Sequence, residues 1–560
     1  MTAFTRNLRA LEDSELDLLV IGGGINGVGI AWDASLRGLR VGLVERSDFG
    51  GEASAGCFKI VHGGLRYLQQ LDLRRVFESA HEQRALRLMA PHLLRPLPFV
   101  VPCYGYGKKG RPLLECGMTL YDLLTPSRNR AVQPELKLPK HSWLSRKQLE
   151  MEAPGLPCNG LTGGMIFYDA QMECERLTLA IAKSAASAGA VLANYAEVVG
   201  REGRDGVGNP LNRIIVEDRL TGARFTIRAR FVICAGGPRA GAIETRLFGG
   251  AFEPSPWFAR GTQLVLDRVL GDRALAVLSG TVERASVLRR GGRAYFLVPW
   301  KDATLCGTYE VAVQASDGDS PLENEDVDMF LSELRSAYDS PVLDRKHVRS
   351  VFGGLIPLEG PPAADKSYLV CREDRIVDWA TSGLKVPNAL SVRGTKYTTF
   401  RALAEKVVDR VVARLGCGAA TCRTAQERVV GGNFDNRSEL EASVARTVLQ
   451  RFCPAKRQRL VDDFGAEVLR LAAQFEERPG RFDELDVCTG FTLGELEFLV
   501  EEEMALRLSD VLRRRTDIAA LSRLDAARIT RIGKAMAKAL GWSRETLASE
   551  ISLVRSELRI

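Results

Sequence analysis

The sequence predicts an α/β fold with three parts: a Rossmann-like domain that is split along the chain, a mainly antiparallel domain inserted into it, and a C-terminal all-helical domain. Three observations support this fold class. A strand, a glycine-rich turn and a helix open the chain, short alternating strands dominate residues 264–309, and helical periodicity begins near residue 433. The 560 residues exceed what one hydrophobic core usually serves, so two or three domains are expected.

The first glycine-rich turn carries the strongest functional signal. Residues 17–21 form an apolar run typical of a buried strand, and glycines follow at Gly22, Gly24 and Gly27. A helix is predicted over 28–37, and a second strand over 39–44 ends on Glu45. This spacing predicts dinucleotide binding, because the glycines allow a tight turn, close approach of a pyrophosphate and close helix packing, while the carboxylate accepts ribose hydroxyls. An ordinary glycine-rich βαβ turn is the alternative.

Composition argues against several other classes of protein. The net charge of +7 is small for this length and does not predict a nucleic-acid partner. Twelve cysteines without a CxxC pair, and only five histidines, predict reduced thiols in the cytoplasm rather than a metal site. No apolar run predicts a membrane span or a signal peptide. Two basic segments are candidates either for contact with an anionic membrane surface or for solvated faces: Lys108, Lys109 and Arg111, and the run 513–515.

The remaining elements alternate between the two kinds of domain. A second glycine turn, Ala235-Gly236-Gly237, ends a buried strand, where a ligand lying across a parallel sheet would meet it. The chain returns to the Rossmann-like domain near residue 390, and Gly431-Gly432 marks a linker to the helical domain. The other predicted elements are helices over 71–89, 175–188 and 398–415, strands over 191–193 and 231–234, and a hairpin of 214–216 with 225–227.

The segment 59–68 places His62, Arg66 and Tyr67 beside two adjacent glycines, Gly63 and Gly64. Such glycines let backbone amides approach a planar ring, while the side chains project toward a substrate. With this segment the chain resembles the FAD-dependent glycerol-3-phosphate dehydrogenases of the aerobic, respiratory type, from about residue 17 to the C-terminal region. The motifs that carry the resemblance are 22–27, 59–68, Met89-Ala90-Pro91-His92-Leu93, Pro299-Trp300, Lys396-Tyr397-Thr398-Thr399-Phe400-Arg401 and Arg513-Arg514-Arg515-Thr516.

The resemblance implies FAD as the dinucleotide, held noncovalently, although Cys57 and His62 lie in the right neighbourhood for a covalent attachment. It implies an FAD-binding domain of residues 1–70, 155–250 and 375–418, a substrate domain of 71–154 and 251–374, and a helical domain of 433–560. The helix near Thr398 would direct its N-terminus at the flavin ring. The residues expected to bind FAD are Gly22, Gly24, Ile25, Asn26, Gly27, Glu45, Arg46, Ser54, Lys59, His62, Gly63, Gly64, Val198, Ala235, Gly236, Gly394, Thr395 and Lys396.

The implied reaction is oxidation of a secondary alcohol, in which a base takes the hydroxyl proton and hydride passes to flavin N5. The expected substrate is sn-glycerol 3-phosphate, the product is dihydroxyacetone phosphate, and a quinone accepts the electrons. A cytoplasmic location, peripheral contact with the inner face of the membrane and a homodimer are compatible with this reading. His62 and Lys396 are equal candidates for the base. Catalysis is assigned to His62, Arg66, Tyr67 and Lys396, and substrate binding to Arg66, Tyr67, Gln263, Tyr309, Ile356, Arg372 and Lys396.

Three positions depart from the family pattern. Ile356 stands where the family has the arginine of a Gly-Val-Arg-Pro-Leu motif that grips the substrate phosphate, and Gln263 aligns with a substrate-site histidine. The segment Gly307-Thr308-Tyr309-Glu310 replaces Gly-Thr-Thr-Asp. Losing a charge-assisted contact to a desolvated anion typically costs about 2–5 kcal/mol of binding, so Ile356 is not a neutral replacement.

These departures leave three alternatives. Arg66, Arg372 or a relocated arginine such as Arg260 or Arg393 binds the phosphate, since a guanidinium fork matches an anion of this shape. In the second alternative, the same flavin chemistry acts on a different hydroxylated or phosphorylated substrate. In the third, the protein is a catalytically silent flavoprotein that serves as a binding partner.

Overall fold

The computed structural model describes residues 4–68, 71–105, 107, 110–202, 212–249, 256–279, 293–315, 318, 320–364, 367–381 and 386–558. Lys108 and Lys109, two candidates for membrane contact, lie outside these residues. The strands are β1 (Glu15–Ile21), β2 (Val41–Val44), β3 (Ile60–Val61), β4 (Leu94–Tyr104), β5 (Ser142–Ser145), β6 (Leu161–Met172), β7 (Val191–Ala193), β8 (Ala196–Arg201), β9 (Asn212–Asp218), β10 (Arg224–Cys234), β11 (Trp257–Asp267), β12 (Ala274–Leu278), β13 (Ala294–Trp300), β14 (Ala303–Gln314), β15 (Val348–Pro357), β16 (Arg375–Asp378), β17 (Ala389–Arg393), β18 (Glu484–Asp486) and β19 (Phe491–Thr492).

The α-helices include long ones in all three parts of the fold. They are α1 (Leu8–Asp13), α2 (Ile25–Leu36), α3 (Leu65–Leu68), α4 (Leu73–Met89), α5 (Arg111–Leu124), α6 (Arg146–Glu152), α7 (Cys174–Ser187), α8 (Ala240–Phe248), α9 (Asn324–Ala337), α10 (Phe400–Leu415), α11 (Arg437–Val444), α12 (Pro454–Phe464), α13 (Val468–Glu477), α14 (Leu493–Glu502), α15 (Leu508–Asp510), α16 (Ile518–Leu521), α17 (Ala526–Leu540) and α18 (Arg544–Glu557). None of the helices in the described ranges has the length and apolarity needed to span a bilayer.

The first sheet is the predicted Rossmann-like sheet. Its strands run in the order β16-β17-β10-β1-β2-β7, and β9 with β8 extends it antiparallel to β10. The predicted strand 231–234 is the end of β10, and the predicted hairpin is formed by β9 and β10. Because β1, β2, β10 and β17 are parallel, their carboxyl ends meet at one edge of the sheet, where both glycine turns lie.

The second sheet is mainly antiparallel, as predicted, and it has the order β15-β11-β14-β13-β12-β4-β6-β3, with β5 beside β6. It takes in β6 and β3, although the predicted boundaries assign residues 155–250 and 1–70 to the FAD-binding domain. The cause is β4, which pairs with β6 along its whole length. Prolines at 96, 98 and 102 make β4 look like a loop in the sequence. The strand tolerates them because β12 pairs with β4 only at Phe99 and Val100.

The C-terminal domain is helical apart from the short hairpin of β18 and β19, and its core contains the periodic residues Ile529, Ile532 and Met536 of α17. The glycine segment before it is a packed joint rather than an exposed linker. Gly431 is buried, and a Cβ there would lie 2.7 Å from Nε2 of His92. Glycine at 431 therefore lets the helical domain pack directly against the loop after α4.

The basic run 513–515 fastens the helical domain to the Rossmann-like domain. The carboxylate of Asp48 is fully buried and accepts hydrogen bonds from Nη1 of Arg515 and from Nε of Arg514, each at 2.6 Å. Arg513 pairs with Glu557 at 2.9 Å. The two interpretations considered for this run, a membrane contact and a solvated face, are therefore both wrong for Arg514 and Arg515, because the carboxylate of Asp48 binds them.

Candidate active site

A cavity of about 740 Å³ lies where the two sheets meet. On one side it is lined by residues at the carboxyl ends of β1, β2, β10 and β17, and on the other by residues of β11, β14 and β15. A crevice at the carboxyl ends of parallel strands is where nucleotides bind in such sheets, and this volume lies within the range of pockets for small molecules and cofactors.

The first glycine turn needs glycine on steric grounds. Gly22 has a φ of 109°, and a Cβ there would lie 2.5 Å from the carbonyl oxygen of Ala235. A Cβ on Gly27 would lie 1.9 Å from the carbonyl oxygen of Gly22, so Gly27 packs against the turn and does not line the cavity. Gly24 precedes α2 and does line the cavity, which leaves the positive end of the helix directed at it.

Polar groups around this turn are arranged to hold a nucleotide. Glu45 lines the cavity, and its carboxylate accepts the backbone N–H of Gly23 at 2.6 Å and that of Ser47 at 2.8 Å. Burial raises the pKa of Glu45. The Ser54 hydroxyl accepts the N–H of Ile25 at 2.9 Å, and Oδ1 of Asn26 is buried with no hydrogen-bond partner among the described residues. A glycine cradle, a carboxylate and an unsatisfied amide oxygen fit an adenosine diphosphate group.

Most of the predicted cofactor residues line this one cavity. Thr395 is held by Asp374, which accepts its N–H at 2.8 Å and its hydroxyl at 3.2 Å. The helix expected from residue 398 begins at Phe400. The predicted residues that line the cavity are Gly22, Gly24, Ile25, Asn26, Glu45, Arg46, Ser54, Val198, Ala235, Gly236, Gly394, Thr395 and Lys396, and those outside its lining are Gly27, Lys59, His62, Gly63 and Gly64.

Lys59 does not present its ammonium group to the cavity, contrary to its expected role in cofactor binding. The side chain is 2 % exposed and forms ion pairs with Glu175 and, at 3.7 Å, with Glu173. The ammonium also lies 4.8 Å from the ring centroid of Trp300. The ion pairs with the buried Glu173 and the half-buried Glu175 fix the ammonium group, so Lys59 holds the loop before β3 in place.

Four predicted catalytic residues gather beside the cavity. The ring of Tyr67 lies 6.0 Å from the ring of His62 and 4.6 Å from Nζ of Lys396. Burial first, and then the nearby charges of Lys396 and Arg66, lower the pKa of His62 to about 4. His62 is therefore a neutral imidazole at pH 7 and is able to accept a proton.

The loop that carries His62 is fixed from behind. Asp169 of β6 accepts the backbone N–H of Gly63 at 2.7 Å and the side-chain amide of Gln83 at 2.9 Å. The Tyr121 hydroxyl donates to the carbonyl oxygen of Gly63 at 2.8 Å. A Cβ on Gly63 would lie 2.1 Å from this hydroxyl, so the loop approaches α5 closely only with glycine there.

Two of the three positions that depart from the family pattern lie in the cavity wall formed by the second sheet. Gln263 and Ile356 line the cavity, whereas the ring of Tyr309 stacks on Phe330 at 5.6 Å, away from it. Tyr309, which was predicted to contact the substrate, faces away from the cavity because successive strand residues face opposite sides. Its neighbour Glu310 lines the cavity instead, and the alternation of β14 was the signal that could have identified it.

The relocated arginines that were considered for the substrate phosphate are paired with carboxylates, although Arg393 lines the cavity. Arg260 is buried between Glu323 at 2.6 Å and Asp326 at 2.8 Å. Arg393 pairs with Glu244 at 2.5 Å. Arg372 is exposed and does not line the cavity. Of the predicted cations, Lys396 lines the cavity and lies against Tyr67, whereas Arg66 is exposed and outside the cavity lining, with its charge close to His62.

The replacement Gly27→Ala tests the role of the first glycine turn, Gly22 to Gly27, in cofactor binding. We expect the FAD affinity to fall about 100-fold, equal to about 2.7 kcal/mol, because the new methyl group displaces the Gly22 carbonyl and opens the turn. The measurement is the ratio of flavin to protein after gel filtration at graded FAD concentrations. Gly117→Ala is the matched control, since a Cβ there meets nothing within 4 Å. An unchanged flavin ratio in Gly27→Ala would contradict this account of the turn.

Comparison with known proteins assigns the family. Residues 17–407 match the family described as FAD dependent oxidoreductase, and residues 422–547 match the C-terminal domain of alpha-glycerophosphate oxidase. The chain is 30% identical to a glycerol-3-phosphate dehydrogenase of Synechocystis sp., covering 98% of this chain and 97% of that protein. It is also 30% identical to the enzyme of that name from Mycobacterium leprae, over 96% of this chain and 87% of that protein.

A solved structure supports the same fold. The glycerol-3-phosphate dehydrogenase from Bacillus halodurans, complexed with FAD, has a TM-score of 0.74 to this chain and 24% sequence identity, covering 98% of this chain and 95% of that one. The glycine cradle, the shared fold and the two family matches agree. This chain is an FAD-dependent oxidoreductase and belongs to the glycerol-3-phosphate dehydrogenase family.

Proposed function

We propose that this protein binds FAD noncovalently and oxidises sn-glycerol 3-phosphate to dihydroxyacetone phosphate. The observation that carries this proposal is the cluster of His62, Tyr67 and Lys396 beside a cavity whose other end has the polar groups for a nucleotide. The names of the relatives support the same substrate. When bound, FAD supplies a hydride acceptor.

His62 is the better candidate for the base. Its imidazole is neutral at pH 7, so it takes the proton of the substrate hydroxyl as the carbon–hydrogen bond breaks. Lys396 and Arg66 then bind the phosphate that Ile356 cannot hold, because both carry positive charge close to His62. This division gives each of the two former candidates for the base a separate role.

The test is anaerobic reduction of the bound flavin. We expect sn-glycerol 3-phosphate to bleach the flavin absorbance and glycerol to leave it unchanged at the same concentration. Ile356→Arg should lower the KM for sn-glycerol 3-phosphate about tenfold, equal to about 1.4 kcal/mol, by restoring a guanidinium in the cavity wall. Bleaching by another alcohol alone would favour a different substrate, and bleaching by dithionite alone would favour a silent flavoprotein.

A second proposal concerns the electron acceptor and the membrane. The outer face of α5 is exposed and has no charged residue; it consists of Pro112, Leu113, Cys116, Thr119, Leu120 and Leu123. Leu123 is 71% exposed, and Phe77 of the adjacent α4 is 49% exposed. An exposed apolar helix face of this kind is typical of contact with a membrane or with another protein. We propose that it lies on the cytoplasmic membrane, where a quinone accepts the electrons.

Charge placed on this face should release the protein from the membrane. We expect Leu120→Asp combined with Leu123→Asp to abolish flotation with phosphatidylglycerol-containing vesicles and to reduce quinone reduction, while activity with a soluble dye is retained. Met329→Asp, at a position 54% exposed on α9, is the control. Unchanged flotation would refute the membrane contact, and a change in mass from dimer to monomer would identify the face as a subunit interface.

A further inference from the structure

Two cysteines that the proposed function does not use meet in the wall of the FAD cavity. Cys57 lies in the segment between β2 and β3, and Cys174 is the first residue of α7. The Cys174 thiol donates a hydrogen bond to the carbonyl oxygen of Cys57, at a distance of 3.7 Å from Sγ to the oxygen. Two cysteines 117 residues apart along the chain are therefore brought together by a contact between the Cys174 thiol and the backbone of Cys57.

The position of this pair connects it to the cofactor site. Cys57 is half-buried and lines the cavity, whereas Cys174 is fully buried behind it. The Tyr397 hydroxyl donates to the carbonyl oxygen of Cys174 at 2.7 Å, and Tyr397 lines the cavity as well. A small oxidant in the cavity would thus meet Cys57 first, with Cys174 directly behind.

The surroundings favour a reactive thiolate on Cys57. A hydrogen bond from the Cys174 thiol lowers the pKa of Cys57, and the charge of Lys59 acts in the same direction. Burial raises the pKa of Cys174, so this thiol keeps its proton and donates it. Nζ of Lys59 lies 4.0 Å from Sγ of Cys174, at the start of α7, where the helix also presents its positive end.

We propose that Cys57 and Cys174 are an oxidative modification site that forms a disulfide in response to a hydroperoxide. The Cys57 thiolate attacks the O–O bond, giving a sulfenic acid and releasing water or an alcohol. The Cys174 sulfur then attacks the sulfenic sulfur, and a second water leaves with the Cys174 proton. Two thiols thereby lose two electrons, which the peroxide accepts. Disulfides in cytosolic proteins are mostly of this transient, responsive kind.

The disulfide should slow turnover because the residue next to Cys57 contacts β11 and β15 of the second sheet. The neighbouring Gly56 accepts the side-chain amide of Gln263 at 2.9 Å, and a Cβ on Gly56 would lie 2.2 Å from the carbonyl oxygen of Gly353. Pulling Cys57 toward Cys174 displaces this contact. We expect activity to fall about tenfold, since a shift of about 1 Å in a site can cost about 100-fold in rate. This effect rests on the proposed function, whereas the disulfide does not.

The test treats FAD-loaded protein with hydrogen peroxide and maps its disulfides by peptide mass spectrometry. We expect a linked pair of peptides containing Cys57 and Cys174, and a tenfold loss of activity that dithiothreitol reverses. Cys57→Ser and Cys174→Ser should each prevent the linkage and the reversible loss, measured against the untreated variant. Cys371→Ser is the matched control, because Cys371 lines the same cavity but burial raises its pKa, whereas the pKa of Cys57 is lowered.

The outcomes separate the two proposals. Peroxide treatment that leaves Cys174 as a free thiol, or that converts Cys57 only to a sulfinic acid, would overturn the modification site in the wild-type protein, whether or not the variants fold. A linked pair in a protein that no substrate reduces would retain the modification site and refute the proposed function. Reversible inactivation that persists in both serine variants would assign the loss of activity to a different residue.

Discussion

Replacing Asp48 by Ala should lower the free energy of unfolding by about 3–5 kcal/mol, because it leaves the buried Arg515 without its bidentate carboxylate partner, while the half-buried Arg514 keeps its pair with Asp510. Asp48 is fully buried and binds Arg515 through both carboxylate oxygens, at 2.6 and 2.9 Å. Urea unfolding followed by circular dichroism measures the change. Asp302→Ala is the matched control, since Asp302 pairs with Arg349 at 2.7 Å but is 70% exposed, and such pairs contribute about 0–1 kcal/mol.

The pH dependence of stability gives the same pair a second signature. Burial raises the pKa of Asp48, but Arg515 and Arg514 outweigh it and lower the pKa to about 2. The unfolded carboxyl titrates near 3.8, so the contribution of Asp48 is complete above that pH and is lost as the pH falls to about 2. Asp48→Ala should lack this step. Equal stabilities of the variant and the wild type at pH 7 would show that the arginines do not depend on Asp48.

The replacement His62→Gln should lower kcat/KM about 10²–10⁴-fold with FAD still bound, which is the usual contribution of a positioned general base. Stopped-flow reduction of the flavin by sn-glycerol 3-phosphate measures it. His141→Gln is the matched control, because the ring of His141 pairs with Asp122 at 2.6 Å, whereas the ring of His62 lies beside Tyr67. Full activity in His62→Gln would transfer the role of the base to Lys396.

The pH profile of kcat/KM tests the cause of the shifted pKa. Because the pKa of His62 is lowered to about 4, activity should fall only below about pH 4 and not near 6.5. In Lys396→Met, one of the two neighbouring cations is removed, so the pKa of His62 rises and the acid limb moves toward higher pH. An acid limb at the same pH in both proteins would mean that a different group controls it.

The sequence predicted the Rossmann-like part well because its signals are local. The first turn needs glycines at fixed spacing, and α2 follows β1 directly, so the motif and the structure coincide. The segment β4 could not be predicted in the same way. Its three prolines are typical of a loop, and only the long pairing with β6, some 60 residues away, makes it a strand.

The candidate site was predicted unevenly for a related reason. Gln263 and Ile356, which were predicted to bind the substrate, both line the cavity, because the motifs fix their positions in β11 and β15. Tyr309 was chosen over Glu310, since the motif does not say which strand residues face inward. The buried ion pair of Arg260 with Asp326 could not be predicted from the sequence. It depends on the packing of α9 against β11, which no local sequence pattern encodes.

The order of strands in the first sheet also has a consequence during synthesis. The central strand β10 pairs with β1 on one side and with β17 on the other, so the three come from residues near 15, 224 and 389. The ribosome must therefore release most of the polypeptide before this sheet can close. Until then the unpaired apolar strands are exposed, so they can bind chaperones or aggregate. The nascent chain also lacks a complete cofactor site during this time.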